Sequence, residues 1–222
     1  MPDISKINNV AVADISKLDS ITFAHGQKVN NQDVSLVTGA HTLIATATAS
    51  SSSTLSFTSG IDSTYDVYEF HFVNMHGQTD DKSFGFQVDT GSDTDYDQPM
   101  TTTFFQAFFN EDGSGEGLAY STGNDQATSG DGNGVLSKIL KDQGADADQS
   151  GSGILTLYAP SSTTYVKHFT TDAQMSQSSN YSQRVLTAGY INITAAITSI
   201  QFKFDSGNID AGEIKMYGIA KS

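Results

Sequence analysis

Cysteine and tryptophan are missing from this chain, and its eleven basic residues include a single arginine. Without cysteine there is no disulfide scaffold, no thiolate metal site and no thiol nucleophile, and folding in a reducing cytoplasm is expected. One arginine and no lysine cluster leave no basic face to neutralise phosphates, so nucleic acid is not an expected partner. Long apolar runs are lacking too. Leu43-Ile44 sits among Thr, Ala and Ser, far short of the roughly twenty apolar residues of a membrane-spanning helix. The N-terminus has no basic stretch followed by an apolar segment, so neither a signal peptide nor a membrane partner is expected.

Acid is in excess, and it is unevenly placed. The net charge of −14 divides as −1 over residues 1–60, −14 over 61–150 and +1 over 151–222. An acidic middle third rich in Gly, Ser and Asp suits a hydrated outer surface that keeps crowded copies soluble.

The first residues repeat. Lys6-Ile7-Asn8-Asn9, Lys17-Leu18-Asp19-Ser20 and Lys28-Val29-Asn30-Asn31 recur with a step of eleven. Each copy ends in residues that tolerate left-handed backbone and form side chain–backbone turns. The apolar residues between (Ile4, Ile7, Val10; Ile15, Leu18, Ile21) suit short extended segments. A period of eleven also fits a right-handed helical supercoil, although paired Asn and β-branched residues disfavour helix. Three short copies bury little apolar surface alone. Residues 1–37 are therefore expected to order against another chain, with Ile4, Lys6, Ile7, Ile15, Lys17, Leu18, Lys28 and Val29 as the anchoring contacts. The Thr/Ala/Ser-rich stretch 38–53 is expected to be a linker.

Residues 54–222 carry the pattern of short strands. Tyr68, Phe70 and Phe72 alternate with Glu69 and His71, and Phe84, Phe86 and Val88 repeat the alternation. Such period-two patterns imply one buried and one wet face. Further strands are expected near 54–58, 101–110, 117–121, 134–140, 153–159, 164–170, 185–193, 200–204 and 213–219. The last two should form a hairpin across the loop 205–212, and VLSKILK (135–141) fits a helical turn equally well. The expected fold is all-β: a two-sheet antiparallel, jelly-roll-like sandwich preceded by the N-terminal repeat. Thirteen Phe and nine Tyr can fill its core. Phe104-Phe105 and Phe108-Phe109 cannot all face one side of a strand. Either both faces are buried there, or these residues meet a neighbouring subunit, and the subunit contact is slightly favoured.

Chemistry-bearing patterns are sparse. Asp93, Asp95 and Asp97 alternate as in the first half of a calcium loop, but Gln98 stands where Gly is required and Phe104 replaces the closing Glu. A solvated acidic loop is the simpler reading, and no other metal is expected. The five histidines lack ligand spacing, and His71 points outward on its strand. No nucleophile elbow or phosphate-cradling loop occurs. No catalytic residue, no cofactor and no enzymatic activity are expected. Tyr96, Tyr120 and Tyr181 lie in or beside loops, where aromatic rings could stack on a sugar or simply plug the sandwich ends.

Four stretches together resemble one family: ISKINNVAVADISKLDSI at 4–21, FTSGIDSTYDVYEFHFVNMH at 57–76, GILTLYAPSSTTYVKH at 153–168 and FDSGNIDAGEIKMYGIA at 204–220. The combination resembles virion structural proteins of tailed bacteriophages, especially those of marine and cyanobacterial hosts. The resemblance spans most of the chain, with 89–150 the least familiar part. It implies a jelly-roll decoration, fibre or tail-appendage subunit located in the virion. Its partners would be other capsid or tail proteins and further copies of itself, with a trimer as one symmetric solution. The alternative that it leaves open is a receptor-binding adhesin for host glycans.

Overall fold

The computed structural model describes residues 41–91, 94–127 and 136–219 in full. It also describes the backbone of four two-residue strands, β1 (Lys6–Ile7), β2 (Val10–Ala11), β3 (Lys28–Val29) and β4 (Gln32–Asp33). The chain divides into two units, Met1–Ala40 and His41–Ser222. In the first, β1 pairs with β2 and β3 with β4. Both ladders start at the lysine of a repeat copy, two copies apart, and their backbone is extended. The anchoring side chains and the second copy, with Ile4, Ile15, Lys17 and Leu18, lie outside the described residues.

The second unit is built of β5 (His41–Thr48), β6 (Leu55–Phe57), β7 (Val67–Gly77), β8 (Lys82–Thr90), β9 (Met100–Asn110), β10 (Glu116–Tyr120), β11 (Ser137–Gln143), β12 (Gly151–Tyr158), β13 (Lys167–Gln177), β14 (Tyr181–Ile191), β15 (Ile197–Phe204) and β16 (Ile209–Ile219). All ladders are antiparallel, and no α-helix occurs among the described residues. A long sheet runs β5-β16-β7-β12-β13-β14-β9-β10, and a short one β6-β15-β8-β11. The sheets meet through a single pairing, Gln143 of the short sheet's edge strand with Gln177 at the end of β13 inside the long sheet.

Two pairs of strands are additions to a simpler plan. Setting aside β9–β10 and β13–β14 and numbering the other eight in chain order, the sheets run 1-8-3-6 and 2-7-4-5. That is the double Greek-key order of a jelly roll. The two insertions stack beside β12 and lengthen one sheet from four strands to eight.

The core lies between the sheets. From the long sheet come Tyr68, Phe70, Phe72, Leu155, Leu157, Phe169, Ile214 and Met216; from the short one come Phe57, Phe84, Phe86, Ile200, Phe202 and Phe204. Phe202 is the hub. Its ring lies 5.5 Å from Phe70, 6.1 Å from Phe84, 6.3 Å from Phe57 and 6.4 Å from Phe86. These separations fall within the range of favourable aromatic pairs.

Two expectations are corrected, and one left open between strand and helical turn is resolved. His41–Thr48, placed in a linker, is an edge strand paired to β16. Its composition misleads because none of its residues is fully buried and only Ile44, Ala45 and Ala47 touch the core. The expected hairpin of 200–204 with 213–219 does not form. β15 pairs with β6 and β8, whereas β16 pairs with β5 and β7. Both segments alternate because both face the core, but from opposite sheets. The VLSKILK segment is strand rather than helix where described, with Ser137, Ile139 and Leu140 buried. Gly85 on β8 permits that strand's approach, since a Cβ there would lie 2.2 Å from the Ser137 carbonyl oxygen.

Lys167 is fully buried, and its Nζ donates to the Ile193 carbonyl at 3.3 Å. Among the described residues no carboxylate forms an ion pair with it, and burial pushes its pKa below the ordinary lysine value.

Two outcomes follow from this packing. Phe202→Ala should cost about 3–5 kcal/mol in denaturant titration, because it removes the ring that both sheets share. Lys167→Met should unfold at higher temperature than the native protein at pH 7, because the charged form is penalised only in the fold. The penalty is full below the lowered folded pKa and fades as pH rises toward the unfolded value near 10.4. The gap between the two melting curves should therefore narrow with alkalinity.

Candidate functional site

The outer face of the long sheet carries the arrangement with most chemical content. In a ladder, directly paired residues share a face. One row of partners crosses all eight strands: Thr46, Lys215, His71, Ile154, Asp172, Leu186, Phe105 and Tyr120. The face is thus a continuous surface with different chemistry at its two ends.

At the inserted end it is apolar. Phe105 and Phe109 on β9 and Leu118 and Tyr120 on β10 are exposed side by side, Leu118 at 82%. Ala107 faces Leu118 across the ladder, and Phe105 faces Tyr120. Among the described residues β10 pairs only with β9, so its outer backbone edge has no neighbouring strand. It carries one charged side chain, Glu116, and no proline, whereas solvent-facing edges are normally blunted by charge or proline. Beside the patch on the same face, Arg184 clamps Asp172 with two hydrogen bonds, Nε to Oδ1 at 2.8 Å and Nη2 to Oδ2 at 2.5 Å. The guanidinium hydrogen bonds hold the Asp172 carboxyl below the usual range.

The four phenylalanines expected at a subunit contact therefore split. Each doublet sends one ring to each side. Phe104 is fully buried, and Phe108 is partly buried with its ring 5.5 Å from Tyr181. Phe105 and Phe109 remain on the surface. Leu118 joins them, and the Gly117-Leu118-Ala119 run hid it because so short a strand shows little alternation.

At the opposite end a polar cluster stands beside the exposed apolar residues Leu43 and Val73. Glu69 on β7 accepts two hydrogen bonds at one oxygen, Oε2, from His71 Nε2 at 2.8 Å and from His41 Nε2 at 2.9 Å. Partial burial pushes the Glu69 carboxyl up, but the bonds from His71 and His41 outweigh it and hold the carboxyl below the usual glutamate range. Tyr217 on β16, the strand between, sets its ring 4.8 Å from His71 and 6.1 Å from His41. His41 and Glu69 had no signal in the sequence: one lay in the supposed linker, and 28 residues separate them.

The acidic loop is organised around a residue outside the expected trio. Asp93 lies outside the described residues; Asp95 and Asp97 gather with Asp89. Asp89 is fully buried and accepts from the Thr90 and Tyr96 backbone N–H groups at 2.7 and 3.1 Å and from Gln98 Nε2 at 3.3 Å. Its carboxylate serves the turn. Tyr96 is buried there, so its ring is not a stacking platform for a glycan. Tyr120 is exposed, with its hydroxyl donating to Asp125, and Tyr181 is held against Phe108. A separate cleft of about 600 Å³ is lined by residues including Asn74, His76, Asp148, Gln149 and Asp210. His76 Nδ1 stands 3.6 Å from the Asp210 carboxylate there.

No protein-family model, curated protein or solved structure matches this chain.

The apolar patch can be separated from the fold by mutation. Phe104→Ala should cost about 3–5 kcal/mol in guanidinium unfolding. Leu118→Ser should stay within about 0.5 kcal/mol of native. A comparable loss at Leu118 would make the patch part of the chain's own stability rather than a surface for something else.

Proposed function

We propose that this protein is a non-enzymatic structural subunit of a tailed-bacteriophage virion. In this reading the unit formed by residues 1–40 attaches to the capsid or tail, and the jelly roll projects as a decoration or fibre module. The observation that carries the reading is the patch of Phe105, Phe109, Leu118 and Tyr120 beside the unpaired edge of β10. Contiguous exposed apolar surface of this kind marks protein–protein contact. A sheet edge with little charge is a template for a further strand. The occupant we assign is a second copy of this chain, as a symmetric particle component requires. The near-neutral first sixty residues, the acidic middle third and the resemblance of four segments to phage structural proteins support the same role.

Light scattering on the purified full chain tests the contact. The native protein should run as an oligomer at micromolar concentration, and Phe109→Lys with Leu118→Lys should reduce it to single chains of unchanged β-content. A monomeric native protein would overturn the contact. The anchor is tested separately. Deleting residues 2–34 should leave a folded, soluble body that no longer co-purifies with particles, and retained incorporation would sink that assignment.

A further inference from the structure

Toward the β5 end of the long sheet, Glu69 and His71, two residues apart on β7, meet His41 from β5, 28 residues earlier than Glu69. One ring nitrogen of each histidine and a carboxylate oxygen of Glu69 all lie within 4.8 Å of one another, with Nε2 of each ring directed at Glu69 Oε2. They stand on the outer face rather than in the core, with His41 at 46% and His71 at 32% side-chain exposure. Both rings donate to the same oxygen, which leaves one acceptor doubly used. Two imidazoles and a carboxylate gathered on a partly exposed surface are a ligand set of the kind that holds transition metals.

We propose that His41, Glu69 and His71 bind a divalent transition-metal ion, zinc in the first instance, which clamps the edge strand β5 to β7 across β16. Two nitrogen ligands favour zinc over calcium or magnesium, which take oxygen. Tetrahedral zinc with bonds of about 2.0–2.2 Å holds its ligand atoms about 3.3 Å apart, so the two nitrogen–oxygen contacts of 2.8 and 2.9 Å must open by about half an ångström while the ring nitrogens settle at the same spacing from each other. The half-exposed His41 side chain can make that adjustment. Tyr217 acts as a positioning residue, since its ring packs against both imidazoles and fixes their planes. Binding exchanges the Nε2 protons for the ion, so each neutral ring carries its proton on Nδ1 instead. The site places the clamp at His41, the first residue of the second unit. It stands independently of the virion role.

The test uses the full chain stripped of metal by chelator dialysis. Zinc titrated by calorimetry should bind at one ion per chain and raise the melting temperature, whereas calcium and magnesium at the same concentration should not. Cobalt in place of zinc should give visible absorption. Histidine ¹⁵N spectra should show two Nε2 resonances shifting on zinc addition. His41→Ala and Glu69→Gln should each weaken binding at least 10-fold, since even outer partners of a metal ligand are worth about 10–100-fold. His168→Ala, elsewhere on the same face, should leave binding unchanged. Absence of stoichiometric binding at micromolar zinc in the native chain would overturn the site. So would full binding in the His41→Ala/His71→Ala variant.

Discussion

The contact between Phe202 and the rings around it is what makes two sheets into one body. Phe202 comes from the short sheet, and Phe70, 5.5 Å away, from the long one. Phe57, Phe84 and Phe86 complete the ring shell, and Phe86 passes the contact on to Phe169 of the inserted strand β13 at 4.9 Å. Burial of such rings is the dominant favourable term in a sandwich of this kind. The alternation of β7, β8 and β15 exists to deliver them to one plane. Cover thins toward β9 and β10, because the short sheet has only four strands to set against eight.

That mismatch of widths explains where the surface chemistry lies. The inner face of β9 and β14 still finds burial for Phe104 and Val185, while the outer face carries Phe105, Phe109 and Leu118 into solvent. A jelly roll lengthened on one side only must end in a strand with a free edge, here β10. At the other end β5 has no second partner strand among the described residues, and it is the edge that His41 ties back to Glu69. The two ends of one sheet thus meet the same problem with different chemistry, apolar side chains at one and a polar cluster at the other.

Much of this was legible in the residues. Tyr68, Phe70 and Phe72, or Phe84 and Phe86, declare a strand and its buried face because a two-residue period has no other use. Alternation says which face is buried but not against which sheet, so β15 and β16 looked like partners when they face each other across the core. β5 was missed because an edge strand needs little hydrophobicity. The phenylalanine doublets showed that both faces of β9 matter, yet only cross-strand pairing could show that Leu118 and Tyr120 share the outer one. The His41–Glu69–His71 cluster was out of reach altogether. Its members meet because β16, more than 140 residues later in the chain, lies between their strands.

That last placement bears on the order of events during synthesis. β16 is paired on both sides, with the first strand of the body and with β7, so β5 cannot join the sheet until Ile209–Ile219 has left the ribosome. A chain made from its N-terminus therefore cannot close this fold progressively, and the non-local pairing makes closure slow once it becomes available. Until then β5 and β7 wait as separate exposed strands. The segment before His41 is free of that constraint, since its described ladders join residues only a few positions apart. Those two ladders can therefore pair while the body is still being made.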